Sequence, residues 1–155
     1  KNLEVIEENN PPQLKSEEKV DISLSDIVDE NLDKFKAFLD DSSDAVFREF
    51  KLGSKNIPCA LVYIDGLVNS DVVNENILKS PMFGITMYEV AGGKPIDTDE
   101  AYNYVIEHAI PVGEVEEADT LNECMLMVMS GEAALMVEGS SKILILKCVS
   151  LSMSF

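Results

Sequence analysis

The apolar residues that follow position 23 have the spacing of an amphipathic helix. From Leu24 they recur at offsets of 0, 3, 4, 8, 11, 14 and 15, so that one face of the helix is apolar. Ser23 stands before this run and Asp26 occupies the third helical position, which is a short form of the capping box. The pattern therefore predicts a helix over 24–39 with Ser23 as its N-cap.

Three more helices are predicted further along the chain. The first spans 71–79 and has either Asn69 or Ser70 as its N-cap. The second follows Asp97, which has a glutamate three residues later, as in a capping box, and a following run of apolar residues at helical spacing. The third runs over about 118–130 and stops at a glycine. The chain thus has four predicted helices.

Strand patterns lie between these helices. Residues 45–52 alternate between apolar and polar side chains, as edge strands do, whereas 57–64 is almost wholly apolar, as in a buried central strand. A short strand is predicted over 112–115. Two apolar runs, 133–137 and 143–149, flank a Glu-Gly-Ser-Ser turn and predict a β-hairpin.

This order of elements predicts an α/β fold, with α+β as the alternative. We expect a mixed β-sheet of about four to five strands flanked by helices, in a single compact subdomain with a C-terminal β-hairpin. The stretch Met82–Val90 is predicted to be either a short strand or a loop. Residues 1–22 are rich in Glu, Asn, Lys and Pro, and we expect them to form a flexible leader.

Acidic residues dominate the charge of the chain. It holds 29 Asp and Glu against 12 Lys and Arg, a formal net charge of −17. Nucleic-acid binding is therefore not expected, because phosphates are repelled. No Lys or Arg occurs between Lys94 and Lys142, where acids are frequent. We expect this stretch to avoid anionic lipid and to meet either a basic protein surface or water.

Few residues suit catalysis, and we expect no enzyme. His108 is the sole histidine and lies on the apolar face of its helix, so we favour a core histidine over a general base. Cys59, Cys124 and Cys148 lie in apolar segments without metal-ligand spacing and are predicted to be buried thiols. The chain contains no phosphate-binding glycine motif and no calcium-binding loop. We therefore expect neither a cofactor nor a metal, and no run of apolar residues is long enough to span a membrane.

Methionines are frequent in and after the last predicted helix, where Met125, Met127, Met129 and Met136 occur. Methionine fills irregular gaps in cores and also forms adaptable binding surfaces. Core packing is the interpretation we favour, with a binding surface as the alternative.

Three short blocks of sequence resemble a known family. Arg48–Phe50 reads Arg-Glu-Phe, Tyr63–Val68 reads Tyr-Ile-Asp-Gly-Leu-Val, and Asn74–Leu78 reads Asn-Glu-Asn-Ile-Leu. They resemble a strand, a central strand and a helix in the cytoplasmic N-terminal domain of the A subunit of GerA-type spore germinant receptors. Met129–Gly139 and Lys142–Leu146 are similar to the hairpin of the same family.

The resemblance covers about residues 23–147. In the family, the chain after the hairpin continues through an Arg-x-hydrophobic-x-Glu-Pro segment into a second small α/β subdomain and then membrane helices. Here Lys147 is followed by a different sequence. We therefore predict that 23–147 is a GerA-type N-terminal subdomain and that 148–155 is a divergent tail.

This resemblance implies a nutrient sensor at the cytoplasmic face of the inner spore membrane, as part of a longer membrane protein. It implies a transporter-like B subunit, a lipoprotein C subunit and other A subunits as partners. The implied roles are germinant sensing, receptor assembly or signal coupling to the membrane domain. The alternative is a module that itself binds a small-molecule germinant, which would be an amino acid, a sugar or a nucleoside.

The residues at the end of the central strand give the candidate site. Asp65 and Gly66 form a turn in which glycine takes a positive φ and aspartate bonds its own backbone. A structural role for this turn is the interpretation we favour. The alternative is an interaction or ligand site made of Tyr63, Asp65, Gly66 and the helix residues Asn74 and Glu75.

Overall fold

Eight helices and strands make up the regular structure in the part of the chain that this computed structural model describes, which is residues 21–69, 71, 73, 89, 91–108 and 115–147. In chain order they are α1 (Val28–Phe38), β1 (Ala45–Leu52), β2 (Ile57–Ile64), α2 (Thr98–His108), β3 (Val115–Ala118), α3 (Leu121–Met129), β4 (Ala133–Val137) and β5 (Ile143–Leu146). The stretch Met82–Val90 apart from Glu89, residues 112–114, the leader up to residue 20 and the tail lie outside the described residues. The division of the chain into leader, subdomain and tail stays a prediction.

The strands form one open sheet in the order β1-β2-β4-β5-β3. β1 and β2 pair over their whole length, from Ala45 opposite Ile64 to Leu52 opposite Ile57, and β1 is the predicted edge strand. The predicted hairpin of β4 and β5 is also present. The prediction of an α/β fold with four to five strands is confirmed. However, every pairing among these strands is antiparallel, so the expectation of a mixed sheet is wrong. The short turns after β1 and β4 require antiparallel neighbours for two of these pairings.

Helices cover both faces of this sheet. α2 packs against one face, where it meets Leu61 and Tyr63 of β2. α1 and α3 pack against the opposite face, where they meet Ala60 and Val62. Consecutive residues of β2 therefore enter different cores, and this explains why the strand is apolar throughout instead of alternating.

α1 begins later than its sequence pattern predicts. Its N-cap is Ile27, which makes no side-chain capping bond, so the prediction of Ser23 as the cap is wrong. The side-chain oxygen of Asn31 instead accepts from the Ser25 N–H at 2.9 Å, and the Asn31 amide donates to the Ser25 carbonyl at 2.8 Å. These two bonds hold the segment before the helix in a non-helical form, which delays the first helical turn.

The turn between β4 and β5 supplies the missing cap. The Glu138 carboxylate accepts a hydrogen bond from the Val28 N–H at 2.8 Å. The N–H of Glu138 donates to the Pro58 carbonyl at 3.0 Å, and the N–H of Gly139 donates to the Asp26 carbonyl at 2.9 Å. One turn therefore joins the start of α1 to the start of β2. A carboxylate at a helix N-terminus also interacts favourably with the helix dipole.

α3 also starts later than predicted, because Ala118 belongs to β3. Thr120 is the N-cap, and its hydroxyl oxygen accepts from the Glu123 N–H at 3.2 Å. The Glu123 carboxylate in turn accepts at 2.8 Å from the N–H of Asp119, the residue before the N-cap, which is a variant of the capping box. At the start of α2 the predicted capping box is confirmed in part, since the Glu100 carboxylate accepts from the Asp97 N–H at 3.1 Å.

The carboxylate that caps α1 gives the first prediction. We expect Glu138→Ala to lower the free energy of unfolding by about 1 kcal/mol, because the Val28 N–H loses its partner and the helix dipole loses a charge. Glu138→Gln keeps an oxygen acceptor and is expected to cost less. Urea denaturation measures the difference.

The control is Glu49→Ala, which removes an exposed carboxylate from β1. The expected order of stability is wild type and Glu49→Ala together, then Glu138→Gln, then Glu138→Ala. Equal midpoints for Glu138→Ala and Glu49→Ala would show that α1 does not depend on this cap.

Candidate functional site

The predicted turn follows β2 directly. The N–H groups of Leu67 and Val68 both donate to the Ile64 carbonyl, at 3.1 and 3.2 Å, and Gly66 has a φ of +97°. The Asp65 N–H donates to the Asp44 carbonyl at 2.8 Å, which ties the turn to the residue before β1. Asp65 and Gly66 are exposed, so the positive φ predicted for the glycine is confirmed in a surface turn.

Tyr63, the first of the predicted site residues, lies inside the core. Its side chain is 0% exposed and packs in the cluster between the sheet and α2, together with Leu61, Val68 and Val105. It presents no surface to a ligand in this conformation. The structure thus separates Tyr63 from the exposed carboxylate of Asp65.

The other predicted site residues follow the turn. Asn69 starts the next helix, since its side-chain oxygen accepts from the Asp71 N–H at 2.8 Å and its carbonyl accepts from the Val73 N–H at 3.1 Å. The bond to the Asp71 N–H is of the kind that an N-cap side chain makes, whereas Ser70, the alternative cap, lies outside the described residues. Asn74 and Glu75, like most of the predicted helix over 71–79, lie outside the described residues, so their place in a site stays a prediction.

Chemically, the exposed part of this turn offers little. Asp65 contributes one carboxylate, and the neighbouring apolar side chain of Leu67 is 50% exposed. No group of three or more potential metal ligands occurs in the described residues. A single exposed carboxylate beside an apolar side chain suits a contact with another protein better than the enclosure of a small molecule.

A shallow cavity of about 240 Å³ lies beside α2. Its lining combines one lysine, two glutamates and uncharged side chains, namely Lys94, Ile96, Glu100, Asn103, Tyr104 and Glu107. Burial raises the pKa of the Tyr104 phenol, so that it stays a neutral hydrogen-bonding group. Nearby, Lys55 pairs with Asp97, and this contact raises the pKa of the lysine and lowers that of the aspartate. Both signs of charge thus occur at this surface.

A second cavity, of about 170 Å³, lies between β3 and α3 and is called the β3–α3 groove below. Its lining is acidic and apolar: Glu116, Glu117, Ala118, Glu123, Leu126, Met127 and Ile145. Burial and the carboxylate of Glu117, which accepts from the Tyr102 hydroxyl at 2.6 Å, raise the pKa of that phenol. Leu126 is 71% exposed, although it is apolar.

The groove lies outside the residues predicted as a site. The frequent methionines of the sequence indicate this groove only in part. Met136 is buried, as the core interpretation predicts. Met127 lines the groove and Met129 is 58% exposed, as the alternative of a binding surface predicts. The lysine-free stretch gave a second signal. However, the surface that this stretch forms is not purely acidic, because lysines from elsewhere in the chain pair with Asp97, Asp119 and Glu132.

The two described cysteines are buried in cores. Burial raises the pKa of the Cys59 thiol, and that of the Cys124 thiol, to about 12 each, which disfavours the reactive thiolate. The prediction of buried thiols is confirmed for these two, while Cys148 lies outside the described residues. His108 is the last residue of α2. The structure does not describe its side chain, so the core position of this histidine stays a prediction.

Comparison with known proteins gives a consistent result. The family model of the Bacillus/Clostridium GerA spore germination protein matches residues 33–153. Spore germination protein KA of Bacillus subtilis is 23% identical over 125 residues, which are 80% of this chain and 21% of that protein. The uncharacterized membrane protein YfkQ of the same organism is 26% identical over 131 residues, or 84% of this chain and 23% of that protein. The chain therefore spans about a fifth of the length of these relatives.

A solved structure shares the fold. The crystal structure of the N-terminal domain of the A subunit of the Bacillus megaterium spore germinant receptor GerK3 superposes with a TM-score of 0.68 at 29% identity. The match covers 83% of this chain and 48% of that one. Within the described residues, no helix has both the length and the hydropathy needed to cross a bilayer.

Two glycines with the same backbone conformation test what the turns contribute. Gly66 and Gly139 both have a φ of +97°, but a methyl group on Gly66 would meet nothing within 4 Å, whereas one on Gly139 would lie 2.6 Å from Thr98 Cγ2 and 3.0 Å from the Thr98 carbonyl oxygen. We expect Gly66→Ala to cost about 1 kcal/mol of stability through backbone strain alone. We expect Gly139→Ala to cost at least about 1 kcal/mol more.

Urea denaturation of the two variants provides the measurement, and each serves as the control for the other. Equal losses of stability would mean that Thr98 at the start of α2 moves aside readily and that the β4–β5 turn does not fix the position of α2.

Proposed function

The chain belongs to the GerA family of spore germination proteins, and we propose that it is the N-terminal part of a germinant receptor A subunit that acts in germinant sensing, receptor assembly or signal coupling. The observation that carries the proposal is the fold shared with the N-terminal domain of the GerK3 A subunit. The two sequences are 29% identical, so the likeness extends beyond the fold to the sequence. The family match over most of the chain supports it independently.

Among the proposed roles, contacts with other proteins have the best support from the surface. The turn after β2 and the β3–α3 groove both expose apolar side chains beside carboxylates, in Leu67 with Asp65 and in Leu126 with Glu123. Such mixed surfaces are typical of protein contacts. The described thiols are buried and protonated, which offers no support for covalent catalysis.

We place the chain at the cytoplasmic, spore-core face of the inner spore membrane, within a longer membrane protein. The short share of each relative that the chain covers supports a longer parent, and one of those relatives is described as a membrane protein. By the same proposal, its partners are a transporter-like B subunit, a lipoprotein C subunit and other A subunits.

Fractionation of dormant spores tests this assignment. An antibody against residues 23–147 is expected to detect a band well above 17.1 kDa in the inner-membrane fraction. Spores with the gene disrupted provide the control and should lose the band. A band near 17.1 kDa in the soluble fraction alone would contradict the assignment.

The cavity beside α2 supports a second candidate function, the direct binding of a small germinant. Lys94 can pair with a carboxylate, and Glu100 or Glu107 can pair with an ammonium group, so the lining has the charges that a zwitterionic amino acid needs. The cavity is open and small, which favours weak binding. If this second function is correct, the chain itself binds the germinant that the receptor senses.

Thermal unfolding in the presence of amino acids, their enantiomers, sugars and nucleosides tests the second candidate. A ligand that binds the folded chain raises the melting temperature by mass action. We expect one enantiomer of an amino acid to raise the melting temperature of the wild-type chain. Lys94→Gln should abolish this increase, whereas Lys51→Gln, which changes an exposed lysine of β1, should leave it unchanged. A flat response over the panel, or equal shifts with both enantiomers, would rule out specific binding at the cavity.

A further inference from the structure

The edge of the sheet at β3 is open. β3 pairs with β5 on one side, and no strand in the described residues pairs with it on the other. Just beyond the end of β3, Ser23 forms an isolated antiparallel bridge with Thr120. An open edge presents backbone N–H and C=O groups that an added strand can bond. Glu116 and Glu117 are exposed on this strand, whereas the opposite edge, β1, carries Arg48 and Lys51 beside one glutamate. The two edges of the sheet therefore differ in charge.

The β3–α3 groove gives this edge an apolar floor. Glu116 and Ala118 lie on the face of the sheet that packs with α3, since they pair with Ile145 and Ile143 of that face. Met127 and Ile145 line the bottom of the groove, and Leu126 stands at its wall, mostly exposed. A side chain projecting from a strand added to β3 would enter this groove. The exposed apolar surface of Leu126 therefore lies beside the backbone groups of the β3 edge.

Carboxylates surround the groove in excess. Glu116 lies 3.4 Å from the Lys147 ammonium, which is shared with Glu132 at 3.3 Å. Hydrogen bonding to Glu132, with a smaller contribution from Glu116, raises the pKa of Lys147. Glu117 accepts a bond from a neutral phenol, and Glu123 accepts one from a backbone N–H. Lys142, which pairs with Asp119 at 2.7 Å, also interacts electrostatically with both glutamates, so three carboxylates share this one ammonium group.

We propose that the β3–α3 groove receives an extended basic segment of a partner protein, which adds as a strand to the open edge of β3. Its lysine or arginine side chains pair with Glu116, Glu117 and Glu123, and its apolar side chains cover Leu126 and Met127. Strand addition of this kind obtains affinity from backbone bonds and specificity from alternate side chains. The inference specifies the partner chemistry of the proposed assembly role and rests on it.

Charge selects this occupant over a second copy of the chain. The chain has a net charge of −17, so two copies repel each other overall, and Arg48 and Lys51 on the β1 edge of a second copy would reach the groove only against that repulsion. A basic segment, by contrast, gains both pairing and attraction over distance.

The test uses the whole chain and two synthetic peptides. The first repeats Lys-Lys-Val-Val, so that each face of the added strand carries both residue types, and the second has glutamate in place of each lysine. Titration calorimetry is expected to show binding of the lysine peptide, weakening as salt is raised, and no binding of the glutamate peptide. Amide chemical shifts are expected to change at β3 and α3.

A matched pair of variants locates the site. Leu126→Lys and Leu67→Lys each replace an exposed leucine with a cation, one in the groove and the other in the turn after β2. We expect Leu126→Lys to weaken binding of the lysine peptide about tenfold, because it removes apolar contact and adds like-charge repulsion. Leu67→Lys is expected to leave binding unchanged.

Three results would overturn the proposal: no binding of the lysine peptide, equal weakening by the two variants, or self-association of the chain that Leu126→Lys abolishes. Because the purified chain is used, these outcomes are independent of where the protein is found in spores. If the protein is found only as a soluble band near 17.1 kDa but still binds the lysine peptide, the receptor assignment is rejected and the proposed peptide-binding role of the groove is retained.

Discussion

The turn between β4 and β5 is the contact on which the arrangement of the layers depends. Glu138 caps α1 from a distant part of the chain, and the N–H of Gly139 donates to the carbonyl of Asp26, two residues before that helix. The same turn bonds the start of β2 and approaches Thr98 at the start of α2 so closely that a side chain at Gly139 has no room. A single short turn therefore sets the positions of a strand and of a helix on each face of the sheet.

This constraint leaves two surfaces at different places in the fold. The turn after β2 lies at the end of an interior strand and is tied to Asp44. The β3–α3 groove lies at the open edge, where β3 is held by β5 and α3 is capped by Thr120. Because both faces of the sheet are filled with apolar side chains, the described molecule meets its surroundings through edges, turns and outer helix faces. That geometry suits a domain that transmits contacts between proteins.

The fold was largely predictable, because its strongest signals are local. β1 and β2 have the predicted bounds, since alternation and an unbroken apolar run each extend over eight residues. The start of α1 was not predictable, because Glu138, which caps it, is 110 residues away. The turn at Gly66 was predictable from its sequence, whereas the burial of Tyr63 depends on α2, and the groove joins residues as distant as Glu116 and Ile145.

If the chain works in a germinant receptor through protein contacts at β3 and α3, those contacts protect backbone amides from solvent. Hydrogen–deuterium exchange on the receptor isolated from spores, compared with the chain alone, tests this protection most directly. We expect slower exchange in the receptor than in the isolated chain for the amides of 115–118 and 121–129. Protection of the turn at 65–69, with none at β3 and α3, would contradict this expectation.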